Sequence, residues 1–409
     1  MAADAANFFT AYQPSTQRDS ERRVVLSVRV SSFRAMSDKR RARKAKQVRR
    51  DARRANKRTV GGSADWNLRD AIRRALAGHP LSLLGMASCV LHAAKPDPMR
   101  DETYLDGILT SLIGVRNREM TALLAVIAEL LVDEPAAQIR CRREVAERRE
   151  HLPRWIAALS RVDIYRAVRI TDVLGDVDEL VIGMRLDGEH ELTVAVLLDH
   201  NMWSSVADGG VGPDPIDEAL ARVAESNSDT EVFEMSLADA RVWIEDAIKQ
   251  LTFAPDTETW PLYRPLVQWV VRRLPEGGEH RPPLGDWESK EELCDAFFAT
   301  SSAAPFTDST HRELLLALFE TGTGDPLRWS AARVERAIGG TTYLDDYIPL
   351  EVALDAPDLL RAFIPYAHAQ SGIRDELTSN TLATVDALRS RYKREVLRQA
   401  EYWGLDDAV

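Results

Sequence analysis

The sequence predicts an α+β fold, mainly α, in which helical N- and C-terminal parts flank a small antiparallel β-meander. Three observations carry that expectation. Apolar residues recur at three- and four-residue intervals before residue 160 and after residue 214, the repeat of an amphipathic helix. Between those parts, Val162–His200 alternates apolar and polar side chains, the two-residue repeat of a strand with one buried face. Glycine and proline clusters such as Pro275–Gly278 and Gly322–Pro326 punctuate the C-terminal helices. No fixed-period repeat is present, which argues against a regular helical solenoid.

Taken in order, residues 1–35 read as a disordered leader in which only Val24, Leu26, Val28 and Val30 alternate. Met36-Ser37-Asp38 stands just before a basic run, so translation is expected to begin at Met36. Residues 36–63 form a basic arm and a Gly-rich tether. Ala42, Ala45, Val48, Ala52 and Ala55 give Lys39–Arg58 a narrow helical stripe, and like charges at helical spacing would fray it. Gly61-Gly62-Ser63 closes the arm.

Residues 64–160 read as an N-terminal helical domain. The apolar run Leu81–Ala94 is too short to span a bilayer and reads as a core helix. Asp101 can cap a helix that ends near Gly114, and Asn117 can cap the next. In that second helix Met120, Leu123, Leu124, Val126, Ile127, Leu130 and Leu131 surround most of the axis, so it is buried on most sides. Another helix follows Pro135 through Cys141 to Glu150.

Residues 161–213 read as the meander and its exit loop. Leu180, Ile182, Met184 and Leu186 share one face of a strand, and Leu192, Val194, Val196 and Leu198 share one face of the next. Asp187-Gly188 supplies the turn, since both residue types tolerate positive φ. A two-residue loop would set Ile182 against Thr193 and split the apolar faces. A three-residue loop, Asp187-Gly188-Glu189, pairs Met184 with Leu192, Ile182 with Val194 and Leu180 with Val196, and is the expected register. Ile164, Arg166, Val168 and Ile170 give a weaker third strand. Asp199–Pro213, with Gly209, Gly210 and Gly212, reads as a flexible connector; it matches neither GxGxxG nor a P-loop, and Pro213 and Pro215 remove amide donors.

Residues 214–409 read as a C-terminal helical domain, with helices near 214–225, 237–251, 260–274, 288–299, 309–320, 330–338, 357–369 and 374–402. Asp214, Ser236, Ser330 and Asp355 serve as N-caps. Trp243, Trp260, Trp269, Trp287 and Trp329 are expected chiefly in the core, with a peptide groove as the alternative for one or two.

Charge supplies the most pointed functional signal. The net charge is −11, yet between Met36 and Arg58 lie twelve basic residues (Lys39, Arg40, Arg41, Arg43, Lys44, Lys46, Arg49, Arg50, Arg53, Arg54, Lys57 and Arg58) against two aspartates. Residues 59–409 hold 36 basic and 59 acidic groups. A basic segment on an acidic body fits RNA, DNA or a ribosome as partner, through phosphate contacts. It contains no aromatic residue, so little reading of bases is expected. The alternatives are an acidic protein partner, docking on the protein's own body, or a solvated tail. The leading expectation is a non-enzymatic interaction protein tethered by this arm.

Asp199-His200-Asn201-Met202-Trp203 is the place in the body most suited to chemistry, and Asp199 with His200 is the candidate pair for a hydrolase-type alternative. The structural reading of the same residues is a strand leaving its sheet beneath a covering Trp. His190 and His200 cannot share a metal, because ten extended residues separate them by roughly 33 Å. No HExxH or CxxC is present, and no metal or cofactor is expected. Adjacent carboxylates such as Asp345-Asp346, Glu291-Glu292 and Asp406-Asp407 read as solvated surface. Cys89, Cys141 and Cys294 lack ligand spacing and read as buried small hydrophobes, in keeping with a reducing, cytoplasmic setting. Arg outnumbers Lys 45 to 8, a usage typical of high-GC bacteria.

Overall fold

The apolar faces of the central hairpin dictate its register. The computed structural model describes residues 68–94, 104–226, 229–250, 257, 259–279, 290–340 and 348–403. Its second and third strands, β2 (Val177–Leu186) and β3 (His190–Asp199), pair Leu180 with Val196, Ile182 with Val194 and Met184 with Leu192, as expected. Asp187 and Gly188 turn the chain at φ 51° and 72°. Leader, arm, tether, Asp101, His280, Trp287, Asp345-Asp346 and Asp406-Asp407 lie outside the described residues.

The described residues fall into two compact units that divide between Ser160 and Arg161. The first contains helix α1 (68–77), α2 (Pro80–Ala93), α3 (Tyr104–Gly114), α4 (Arg118–Leu130), α5 (Pro135–Arg148) and α6 (Arg154–Ala158). The Asn117 side chain accepts from the Met120 amide at 2.8 Å and starts α4, which is apolar on most sides and correspondingly buried. Arg148 donates to the carbonyls of Ile113 and Val115 at 2.7 and 3.1 Å. It thereby satisfies acceptors that the end of α3 leaves open. Cys141 is buried, but Cys89 is exposed on α2 rather than packed inside it.

The second unit is built on a five-stranded antiparallel sheet, in the order β4-β3-β2-β1-β5. The weaker strand expected around Ile164–Ile170 is β1 (Asp163–Asp172). Two further strands lie where the sequence shows no two-residue alternation. Asp199–Pro213 is not a flexible connector throughout, since β4 (Ser205–Gly212) pairs along β3. Gly209 serves packing: a Cβ there would lie 2.6 Å from the Trp260 ring, so only a bare backbone fits. The other is β5 (Thr230–Met235), an edge strand in which Val232 and Phe233 are exposed, so it shows no burial alternation.

The strands are also more buried than their alternation implies. Leu180, Ile182, Met184 and their partners on β3 fill one face, while Val168, Ile170 and Val181 fill the other against Ile216 of α7 (Ile216–Ser226). That second face carries Gly183, Thr193 and Ala195, small residues that let a helix approach without a strong apolar signal. On the first face lie α8 (Leu237–Lys249) and α9 (Trp260–Val271), which contact β4.

Among the described residues, the remaining regular elements of the unit are helices: α10 (Lys290–Phe298), α11 (Thr310–Phe319), α12 (Ala331–Ile338), α13 (Leu350–Ala353), α14 (Ala356–Ser371) and α15 (Asp375–Trp403), with a 3-10 turn at Ser301–Ala303. Ser236 and Ser330 cap α8 and α12 through the amides of Asp239 and Arg333. Phe297, Phe319 and Trp329 converge on Phe363 in one apolar cluster. Trp243, Trp260, Trp269 and Trp329 are all buried, so none of these four lines an open groove. Among the described residues no helix is long and apolar enough to cross a membrane.

Candidate functional site

A cross-strand register brings the site together. Asp178 on β2 pairs with Leu198 on β3, two residues before His200 in the 3-10 turn His200–Met202. The His200 Nε2 atom lies 3.0 Å from Asp178 Oδ2, and both side chains are enclosed. The distance is that of an ion pair, but the ring N–H does not point along it. Neither His200 Nε2 nor either Asp178 oxygen therefore has an aligned hydrogen bond. The other ring nitrogen, Nδ1, stands 2.9 Å from Ser204 Oγ. Trp203 and Ser204 occupy the left-handed backbone region at φ 56° and 54°, which non-glycine residues enter at a cost.

The expected Asp199–His200 pairing is not the one the structure makes. Asp199 Oδ1 accepts from the Asn201 amide at 2.9 Å and caps the 3-10 turn, whereas Asp178 faces the imidazole. Trp203 is 62% exposed and does not cover the sheet end; the left-handed turn directs it outward, where the Arg336 guanidinium lies 5.9 Å from its ring. Beneath it, Trp243 of α8 meets the His200 ring edge-on at 6.5 Å. Arg169 on β1 sits between the rings of Phe233 and Trp243, with its Nε 4.0 Å from Asp178 Oδ1.

Three further carboxylates surround this corner. Asp172 accepts from the amides of Leu174 and Val177. Asp176 accepts from Asn201 Nδ2 and Ser330 Oγ, each at 2.8 Å. Burial, reinforced by the Asp172 charge, pushes the Asp176 carboxyl up to about 6, although those two donors oppose the shift. Burial also raises Asp172 and Asp199 above the ordinary carboxylate range. On the opposite face Glu179 is pushed up to about 7 by burial and then by the Asp208 charge. Its Oε1 is enclosed without a hydrogen-bond partner. The residue keeps partial exposure at its other atoms, so the enclosed oxygen is the part that matters.

Arg333 secures the floor of this region. It is fully buried and donates to the carbonyls of Phe319, Thr321, Asp325 and Arg328. Desolvation lowers its pKa to about 10. Gly322, at φ 60°, brings its Cα beneath Asn201. On the outer side, Arg336 and Arg391 help to line a cleft of about 550 Å³.

Asp178 could have been found from the sequence. The hairpin register that pairs Met184 with Leu192 also pairs Asp178 with Leu198, placing a carboxylate one turn from His200. Ser204 carries only the weaker signal of standing four residues after His200. The twelve basic residues of the arm fall outside the described residues. Among the described residues, no group of three or more His, Cys, Asp or Glu side chains could hold a metal ion. No family model, curated protein or solved structure matches the chain.

Proposed function

We propose that this is an interaction protein tethered to nucleic acid or a ribonucleoprotein through its basic arm, Lys39–Arg58, with the acidic remainder serving as the body it carries. The observation that carries this reading is the division of charge: twelve cations and two aspartates between Met36 and Arg58, against an excess of 23 acidic groups beyond residue 58. Counterion release makes such a segment bind a polyanion, and an acidic body repels one, so tethering by the arm is favoured over enclosure in a groove.

Arginine pairing in the body supports the same reading. Arg73 with Glu119, Arg142 with Glu129, Arg166 with Asp217 and Arg374 with Asp229 are paired at 2.6–2.9 Å. Cations already facing carboxylates offer less to phosphate than a run that has only two aspartates within it.

The test is binding of the full chain, and of a chain lacking Lys39–Arg58, to a mixed-sequence RNA and a DNA duplex at several salt concentrations. If six to ten phosphates are neutralised, affinity should fall by about 10³–10⁵ between 50 and 200 mM salt. Deletion should remove binding. Undiminished binding by the deleted chain at high salt would refute the proposal.

A further inference from the structure

We propose that Ser204, His200 and Asp178 form an acyl-transfer site for small carboxylic esters, with Ser204 as nucleophile, His200 as its general base and Asp178 as a positioning residue. This goes beyond the arm-tethered reading and does not depend on it. It also departs from the Asp199–His200 pair, because the geometry gives His200 a different carboxylate and supplies a hydroxyl.

Three observations converge. The contacts run in series, 2.9 Å from Ser204 Oγ to His200 Nδ1 and 3.0 Å from His200 Nε2 to Asp178 Oδ2, which is the order hydroxyl, imidazole, carboxylate of an activated nucleophile. The same series runs from surface to core: Ser204 is partly exposed, His200 is 5% exposed and Asp178 is fully buried. Finally, Ser204 is held in left-handed backbone, and Asp178 is a buried carboxylate without an aligned donor. Both are costly in a fold and concentrate where a structure serves chemistry.

In the tautomer that carries its proton on Nε2, the nitrogen 3.0 Å from Asp178 Oδ2, Nδ1 presents its lone pair to Ser204. As Ser204 Oγ bonds to the ester carbonyl carbon, the hydroxyl proton passes to Nδ1, and the imidazolium formed lies beside the Asp178 carboxylate. Collapse of the tetrahedral adduct breaks the bond to the leaving alkoxide, which takes that proton from Nδ1 and departs as the alcohol. Water then attacks the acyl-Ser204 ester, giving its proton to His200, and Ser204 recovers one as the carboxylic acid leaves. No oxidant or further reactant is needed.

The full chain is treated with a fluorophosphonate probe, and with p-nitrophenyl acetate, from pH 5 to 9. The expected result is one phosphonyl adduct, mapped to Ser204 by peptide mass spectrometry, forming faster as pH rises. Ser204→Ala, a small change at a partly exposed position, should abolish the adduct with circular dichroism unchanged. His200→Gln should slow labelling by about 10²–10⁴-fold. Asp178→Asn should slow it less and displace the midpoint of the pH profile, which a purely structural aspartate would not do. If His200→Gln fails to fold, the wild-type pH profile decides between the outcomes. The proposal is overturned by folded wild-type protein that forms no Ser204 adduct, or by labelling that ignores pH.

Discussion

Replacing Arg333 with alanine removes a fully buried cation whose guanidinium donates to four main-chain carbonyls and lies 4.0 Å from the Trp329 ring centroid. One of those acceptors, Phe319 O, is the last carbonyl of α11, where helix geometry leaves carbonyls without internal partners and the dipole favours a positive charge; Thr321 O, just beyond the helix, also accepts from the Gly324 amide at 3.3 Å. Each buried acceptor left without a donor costs about 1–3 kcal/mol. Releasing a cation that burial already disfavours offsets part of that cost, and the vacated volume adds to it. The net expectation is a loss of about 4 kcal/mol, with Arg333→Lys losing about half as much because an ammonium cannot span four acceptors. Urea denaturation followed by circular dichroism measures the loss. Hydrogen exchange at residues 319–330 locates it, since these amides should open first. A loss below about 1 kcal/mol, or unchanged exchange in that loop, would refute the claim that Arg333 holds it together.

Two further predictions concern the same corner and its opposite face. A Cβ at Gly322 would meet Asn201 Oδ1 at 2.4 Å and Arg333 Cγ at 2.9 Å, whereas Gly324, also at positive φ, has nothing within 4 Å. Gly324→Ala should therefore cost about 1 kcal/mol for backbone strain alone, and Gly322→Ala about 1–3 kcal/mol more for the clash; equal losses in urea melts would contradict this. The Glu179 carboxyl is held up to about 7, above its value in the unfolded chain, so its contribution is full at low pH and is lost as pH rises through 7. Glu179→Gln should thus raise Tm relative to wild type at pH 8 and lose that advantage by pH 5. A Tm difference that is constant across that range would count against the assignment.

Local features were legible in the sequence because their physics is local. The caps at Asn117, Ser236 and Ser330 depend on a side chain and an amide three residues away, and these three form, whereas Asp355, in helical backbone before α14, makes no side-chain cap bond. The hairpin register follows from two apolar faces that only one loop length can align. Where tertiary contacts override local preference, the sequence misleads. Glycines at 209, 210 and 212 read as a connector, yet they lie in a strand that pairs along β3, and the bare backbone at Gly209 leaves room for the Trp260 ring. Val232 and Phe233 sit at an edge with no burial to pattern them, so β5 was invisible.

For the site, the chain's own order determined only that a histidine would close β3 among polar residues. The register chose Asp178, across the sheet, over its sequence neighbour Asp199, which the turn consumes as a cap. A left-handed turn then swung Ser204 back to the imidazole and Trp203 out to solvent. Those choices belong to the tertiary structure, because they depend on which strands pair and which faces the helices bury. The division of the chain into a basic arm and an acidic body needs no fold to be seen, since charge is a property of composition.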